Sequence, residues 1–316
     1  VPDESSNSNN GTSSGMTAAN LVQSNLNILS PYSRYALDFD GANDYIDLGD
    51  DDAFSFGNGT TDSAFSVSAW CYIDTLSNFT IITKGVYPTT GEWHIRMTGA
   101  NQMHLVLYDG NAYEACIIDE SLSTNQWYHF AFTYDGRGEG NANAGIIGYL
   151  NGSAATLNRV DSGSYEFMTN STAPLYIAKN GSNYSDGKIE EVAIWNTALT
   201  STQVSEIYSE GVPQNLNNHS AYSNLVSWWQ LGSNTSWVDP YWIALDEKGT
   251  NNGQSQNVAA PNNMGENAIV DGVGSYANGL SNSMGGDEII GSAPFSDANS
   301  LSVNMDVLDR TTDTPS

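Results

Sequence analysis

DGKIEEVAIWNTALTSTQVSEIY, Asp186 to Tyr208, reads as a strand, a short loop and one capped helix. Side chains alternate along a strand, so strict alternation sets Val192 and Ile194 on one face with Glu190, and Ile189, Ala193 and Trp195 on the other with Glu191. Thr200 is the expected N-cap, and Gln203 three residues on completes a capping box that satisfies two orphan amides. Val204, Ile207 and Tyr208 form the apolar stripe, and Gly211 with Pro213 ends the helix.

Upstream the period-two pattern recurs. Tyr35, Leu37 and Phe39 alternate with Ala36, Asp38 and Asp40, a Gly-Ala-Asn-Asp turn follows, and a short strand lies around Tyr45, Ile46 and Leu48. In Ser63 to Ile73 both faces carry large groups, Phe65, Val67, Ala69 and Cys71 against Trp70 and Tyr72, so this strand is central. Further strands are expected at Thr80 to Thr83, Trp93 to Met97, Met103 to Tyr108 and Tyr113 to Ile118, each bounded by Gly, Asn or Asp. Asn125 to Gly136 alternates Tyr128, Phe130 and Phe132 against His129, Ala131 and Thr133. Ile147 to Gly152 pairs with it, Asn151-Gly152 being a tight-turn signal, and Pro174 to Asn180 leads to the opening stretch. Many short strands with a single helix at the end indicate an all-β sandwich.

The 316 residues are 39% hydrophobic, enough for a core. The net charge of -27, from 36 acids against 9 bases, works strongly against nucleic acid and anionic membranes as direct partners, both being polyanions. Only 14% of residues are charged, so the polarity comes mostly from Asn, Ser, Thr and Gly, which suit turns and sheet surfaces. There is no run of 18 apolar residues, so direct membrane insertion by a helix is not expected. The chain starts at Val1 without Met or an apolar leader, as a fragment or processed product does. Cys71 and Cys116 are too few for a disulfide framework and form either one bridge or two buried thiols. Sequons at Asn78, Asn151 and Asn183 permit surface glycosylation, although a chain this rich in Asn, Ser and Thr generates them by chance.

Five pieces in order, FDGANDYIDLG, FSVSAWCYI, QWYHFAFTYDG with GYLNG, PLYIAKN and DGKIEEVAIWNTAL, resemble the laminin-G-like, concanavalin A-like lectin/glucanase jelly-roll family over Tyr35 to Pro213. The resemblance implies a jelly-roll β-sandwich with one short helix, on an extracellular, cell or virion surface. It also implies glycan binding through loop aromatics, for which Tyr87, Trp93, Tyr113 and Tyr184 are the candidates. Calcium is the cofactor to consider: Asp40, Asn43 and Asp44 occupy an oxygen-rich turn and the resemblance brings Glu190 near that edge, against the alternative that these acids only shape the turn or accept backbone amides. The same fold carries endo-glucanases, whose Glu-x-Asp-x-x-Glu pattern is absent here. Glu190 and Glu191 are adjacent and point to opposite faces, and His94, His104, His129 and His219 show no metal spacing, so a non-enzymatic protein is expected.

Modules of this kind open with a Trp-rich strand before an Asn-Gly turn, yet nothing precedes the turn DESSNSNNG, Asp3 to Gly11. The strand appears late, as LVSWWQLG, Leu225 to Gly232, followed by DEKGTNNG, Asp246 to Gly253, an internal partial repeat. The expected division is therefore a sandwich over 1–213 and a β-rich C-terminal extension over 214–316. Three readings stand for the late strand, with Leu225, Val226, Trp228, Trp229 and Leu231: it begins a second, truncated module, it folds back onto its own sandwich, or it completes a neighbouring copy. The third implies a structural protein that assembles head to tail into a homo-polymeric filament. The alternative is a calcium-dependent carbohydrate-binding adhesion module.

Overall fold

The structure, a computed structural model, describes residues 11–14, 21–23, 35–86, 89–97, 99–232, 234–238 and 241–255. The chain divides into a unit of Val1–Met16 with Leu26–Ala259 and a unit of Thr17–Asn25 with Ala260–Ser316. Of the second unit only the strand β2 (Leu21–Gln23) is described. The tail strands expected at 268–270, 288–290 and 301–305 lie outside the described residues.

The first unit holds two large sheets. One runs, in spatial order, β13 (Leu157–Asp161), β9 (Tyr113–Ile118), β8 (Met103–Tyr108), β7 (Trp93–Met97), β6 (Thr80–Lys84), β14 (Leu175–Ile177), β4 (Tyr45–Asp47), β1 (Gly11–Ser14), β21 (Gly253–Ser255), β20 (Tyr241–Ala244) and β19 (Thr235–Val238). The other runs β12 (Ser153–Ala154), β11 (Ile146–Leu150), β10 (Trp127–Tyr134), β5 (Phe65–Ile73), β17 (Asp186–Trp195) and β3 (Tyr35–Asp40), with β18 (Leu225–Trp229) also on β17. A small ribbon pairs β15 (Lys179–Asn180) with β16 (Asn183–Tyr184). The fold is the expected all-β jelly-roll sandwich with one short helix, α1 (Ser201–Tyr208), whose Thr200–Gln203 capping box is formed.

Residues of the two sheets meet in the core. Trp93 of β7 packs against Phe65 of β5 with ring centroids 5.2 Å apart, and Phe56 stacks on Phe65 at 4.3 Å. β5 is central, paired with β10 on one edge and β17 on the other. Its outward face carries a second apolar layer, in which Val204 and Ile207 of α1 cluster with Trp195, Trp228, Leu225 and Tyr149. An amphipathic helix of eight residues is held by such packing rather than by its own propensity.

The strand alternation expected for β17 is corrected by a β-bulge. Glu190 is opposite Trp70 and Ala193 is opposite Ser68, so Glu191 and Val192 on β17 stand against Ala69 alone on β5, and Glu191 turns through a left-handed φ of 55°. Glu190 consequently shares a face with Ala193 and Trp195, while Ile189 and Ile194 lie on the inter-sheet face with Cys71 and Val67. Every residue of the expected strand is present, but an inserted residue reverses the sides downstream.

Beyond the bulge β17 needs a partner. β3 pairs only with Asp186 to Ile189, and β18 takes up the same edge from Val192 to Trp195. Leu225 to Trp229 thus lies in its own sandwich, its indoles set on opposite faces. Trp228 Nε1 donates to Glu191 Oε2 at 2.6 Å, and Trp229 Nε1 donates to the Asn251 carbonyl at 2.6 Å. Leu225, Trp228, Trp229 and Leu231 are buried and Val226 is half-buried. Gly232 follows because the strand end passes so close to the Tyr35 carbonyl that any Cβ there would collide with it. Asp246 then organises the turn, and the two Asn-Gly repeats end side by side, Gly11 opposite Gly253 in the parallel pair β1–β21.

Candidate functional site

The four residues considered for calcium are not brought together. Asp40 is opposite Asp186 on β17, four residues from Glu190, or ~13 Å along the strand at ~3.3 Å per residue. Asp40 Oδ1 accepts the Ala42 and Asn43 amides at 2.8 and 3.3 Å, and Asp44 Oδ2 accepts the Asp40 amide at 3.3 Å. These bonds shape the turn, and Glu190 lies elsewhere on the strand, beside Trp70. Among the described residues no group of three or more His, Cys, Asp or Glu side chains could hold a metal ion, so the four-residue set does not fit the cation.

Of the two alternatives for the cysteines, the structure has the pair of buried thiols and not the bridge. Cys71 stands on β5 and Cys116 on β9, in different sheets, and both are buried free thiols. Cys116 Sγ accepts from Arg159 Nη1 at 3.0 Å and lies 3.1 Å from the Asn143 carbonyl. Burial pushes both thiols up, which keeps them protonated. Asn78, Asn151 and Asn183 are all exposed.

The aromatic candidates part company. Trp93 is corrected from a surface platform to a core residue: it is fully buried, with Nε1 donating to the Phe54 carbonyl at 2.8 Å. Alternation along β7 turns Trp93, Ile95 and Met97 inward and sends His94 and Arg96 outward. Tyr87 lies outside the described residues. Tyr184 is half-buried beside Tyr45, at 6.0 Å, where Lys179 Nζ sits 3.6 Å over the Tyr45 ring and 4.6 Å over that of Tyr176. This cation–π cluster pins the β15–β16 ribbon to the sheet. Tyr113 is half-buried and forms a wall of a pocket.

That pocket, of about 180 Å³, lies on the outward face of the first sheet, across β7, β8, β9 and β13. The volume equals about six waters at their liquid share of ~30 Å³. Cross-strand register builds it: His94 is opposite Val106, Arg96 opposite His104, Val106 opposite Ala115, and Ala115 opposite Val160. One side is therefore apolar, from Val106, Ala115, Ile117 and Val160, and the other carries His94, His104 and Arg96. The same register continues the face from His94 through Thr83 and Tyr176 to Asp47, linking the pocket to the tyrosine cluster.

Electrostatics in the pocket follow from burial. His94 and His104 are 2% and 7% exposed, and their rings stand 5.6 Å apart. Loss of hydration lowers His104 to about 3, with the Arg96 charge adding to the effect, and lowers His94 well below the usual imidazole range, with His104 and Arg96 adding. Both rings are neutral at physiological pH. His104 Nε2 is buried without a hydrogen-bond partner, a group whose satisfaction awaits a ligand or water. Of the pocket residues, the sequence readings single out only Tyr113. The signal for the others is the polar side of two facing strands, WHIRM and MHLVLY, where His94, Arg96 and His104 occupy alternate positions.

A family model described as the concanavalin A-like lectin/glucanases superfamily matches residues 40–205, just over half of the chain. No curated protein matches it. Among solved structures, a Bacteroides ovatus protein provisionally designated carbohydrate binding is 22% identical with a TM-score of 0.46, the match covering 69% of this chain and 57% of that one. Domain 4 of an extracellular arabinanase from Geobacillus stearothermophilus, solved with arabinotriose, is 21% identical with a TM-score of 0.45 over 63% of this chain and 87% of its own. Domains LG4–5 of the mouse laminin α1 chain are 10% identical with a TM-score of 0.34, over 50% of this chain and 40% of theirs. These are likenesses of fold.

Proposed function

The chain belongs to the concanavalin A-like lectin/glucanases superfamily, and from that premise we propose that it is a non-catalytic carbohydrate-binding module of an extracellular or surface protein, with the β7–β8–β9 pocket as its sugar site. The observation that carries this reading is the pocket itself: an apolar wall with Tyr113 at its side faces His94, Arg96 and a buried His104 Nε2 that lacks a partner. Sugars are held in this way, with C–H faces against apolar and aromatic surface and hydroxyls on a few placed polar groups. Glycoside hydrolysis needs two carboxyl groups flanking the bond, and the pocket lining contains none. Among the described residues no helix is long and apolar enough to cross a membrane.

The test is a glycan array followed by calorimetry on the best ligand. Binding is expected, and Tyr113→Ala is expected to weaken it on the order of tenfold, the loss of about 1.4 kcal/mol. Removal of calcium with a chelator is expected to leave it unchanged. Absence of binding across the array, with the protein shown to be folded, rejects the proposal.

A second reading, head-to-tail self-assembly, draws support from the duplicated motif, because Gly11 and Gly253, equivalent residues of the two Asn-Gly repeats, are adjacent in one sheet. Assembly by exchange of β18 requires that strand to leave Val192 to Trp195 of its own chain for those of a neighbour. Light scattering of the chain over a hundredfold concentration range tests this. A chain that stays monomeric throughout removes it.

A further inference from the structure

The pocket reverses the sign of the rest of the molecule. The sequence has 36 acidic and 9 basic residues, yet the pocket is lined by Arg96 and two imidazoles and by no carboxylate. Arg96 Nε donates to His94 Nε2 at 3.2 Å, which makes that nitrogen an acceptor and places the neutral ring's proton on Nδ1. His104 lies directly across from Arg96 on the next strand, with Nε2 buried and unpartnered. A guanidinium beside a buried ring nitrogen, backed by apolar walls, is an arrangement for a planar, negatively charged group, since charge-assisted bonds are about twice as strong as neutral ones.

We propose that the pocket selects a sugar unit bearing a carboxylate, with the carboxylate held between Arg96 and His104 Nε2, and that binding draws a proton onto the His94–His104 pair. The proposal rests on the carbohydrate-binding reading above and names its ligand class. Among the described residues, groups face the two rings from β6 to β9 and from β13. Arg96 shares β7 with His94, Thr80 and Thr83 of β6 lie opposite Arg96 and His94, Tyr113 comes from β9, and Val106, Ala115, Ile117 and Val160 complete the wall. The described pocket lining holds no carboxylate beside the imidazoles, and burial keeps both rings neutral without a ligand; a bound carboxylate supplies a compensating charge and makes protonation favourable. The chain's overall negative field opposes an anionic ligand at long range, but it is screened over about 8 Å at physiological ionic strength, whereas the pocket contacts are direct.

The experiment is titration calorimetry of the full chain at about 0.15 M salt with oligosaccharides of galacturonate, glucuronate and mannuronate, each beside its carboxyl-reduced, uncharged counterpart. At least one uronate ligand is expected to bind ten or more times more tightly than its counterpart. Should the uncharged sugars bind as well or better, the carboxylate inference fails while the carbohydrate-binding reading stands; should none of the six bind although the glycan array yields another ligand, the inference again fails alone. Absence of binding in both experiments defeats the two together. Proton uptake is read on the unmodified protein by repeating the titration in two buffers of different ionisation heat. If the bound state restores His104 to about 6.5, affinity at pH 5.5 exceeds that at pH 8 by about tenfold. Equal heats and equal affinities overturn the protonation step. His104→Gln is expected to flatten the pH profile, and Arg96→Gln to remove the preference for uronate over its reduced form. An unchanged pH profile in the first variant or an unchanged preference in the second counts against the assignment of that residue.

Discussion

Removing the Asp246 carboxylate should cost more stability than removing any surface acid of this acid-rich chain. Asp246 is 1% exposed, and its oxygens accept four backbone amides: Trp228 at 3.0 Å, Lys248 at 3.0 Å and Gly249 at 2.9 Å on Oδ1, and Asn251 at 3.1 Å on Oδ2. It thereby ties β18 to the turn that leads into β21. In Asp246→Ala the Trp228 and Asn251 amides are left buried without an acceptor, each at a cost of about 1–3 kcal/mol. The other two amides lie in a half-buried turn and recover part of their loss from water. A total of about 3–5 kcal/mol follows, or a fall in Tm of about 10 °C or more for a unit of this size. Asp246→Asn keeps the Oδ1 acceptor and should lose about half as much. The assay is urea unfolding followed by tryptophan fluorescence, since Trp228 and Trp229 lie in the affected strand. A loss under about 1 kcal/mol in the alanine variant would refute the role of the turn. A midpoint that rises with protein concentration would refute the intrachain placement of β18, because a strand supplied by another copy makes stability depend on mass action.

Other outcomes follow from single contacts. His129 is buried with neither ring nitrogen hydrogen-bonded, and burial lowers it to about 3. The folded value lies below that of the unfolded chain, so its contribution is intact above about pH 6.5 and is lost as pH falls from there toward 3; at pH 5 the loss is about 2 kcal/mol. The stability difference between His129→Phe and the parent should therefore shift in favour of the variant by that amount between pH 7.5 and pH 5, measured by urea unfolding, whatever offset the larger ring introduces at pH 7.5. Lys84, fully buried, meets Asp50 at 2.8 Å and Glu92 at 3.3 Å. Lys84→Met leaves Glu92 buried without its cation and should cost about 3–5 kcal/mol, whereas the double variant with Glu92→Leu should recover much of it. Thr200→Ala removes the capping box of α1 and should lower stability by about 1 kcal/mol, seen as a small Tm shift in scanning calorimetry.

The strands are legible in the sequence because successive side chains face opposite sides of a sheet, and Phe65 to Cys71 or Tyr128 to Phe132 serve two different buried layers in that way. What alternation cannot show is an inserted residue. Glu191 takes a left-handed conformation with no glycine to announce it, and from that point the sides of β17 are reversed. The same step parts Glu190 from Ile194, with which strict alternation groups it, and leaves it beside Trp70 on the outward face. Trp93 illustrates a second limit. Tryptophan suits both a sugar platform and a core, and the choice is made by Phe56, Phe65 and the Phe54 carbonyl, which arrive from distant parts of the chain. The pocket is illegible for a related reason, since Arg96 and His104 become neighbours only through the β7–β8 register.

The repeated Asn-Gly motif gains a physical meaning from the late strand. β3 is too short to cover β17 past the bulge, so Val192 to Trp195 would present open amides and the apolar sides of Val192 and Ile194 if β18 were absent. β18 fills that place and carries its own Asn-Gly turn with it, which delivers β21 to the opposite sheet. There the position next to β4 is already held by β1, the strand that follows the first copy of the motif. β21 therefore docks one place further out, parallel to β1 and in register with it, so the parallel pair is what two copies of one motif produce when a single sheet accepts both. β21 is therefore the natural replacement for β1. A chain lacking residues 1–14 should remain folded, with β21 paired to β4. Cysteines placed at Asp47 and Gln254 should crosslink in the shortened chain, where Gln254 has moved into the place of Thr12 opposite Asp47, and not in the full-length chain, where β1 separates them. Unfolding of the shortened chain, or equal crosslinking in both, would show that the two strands are not interchangeable.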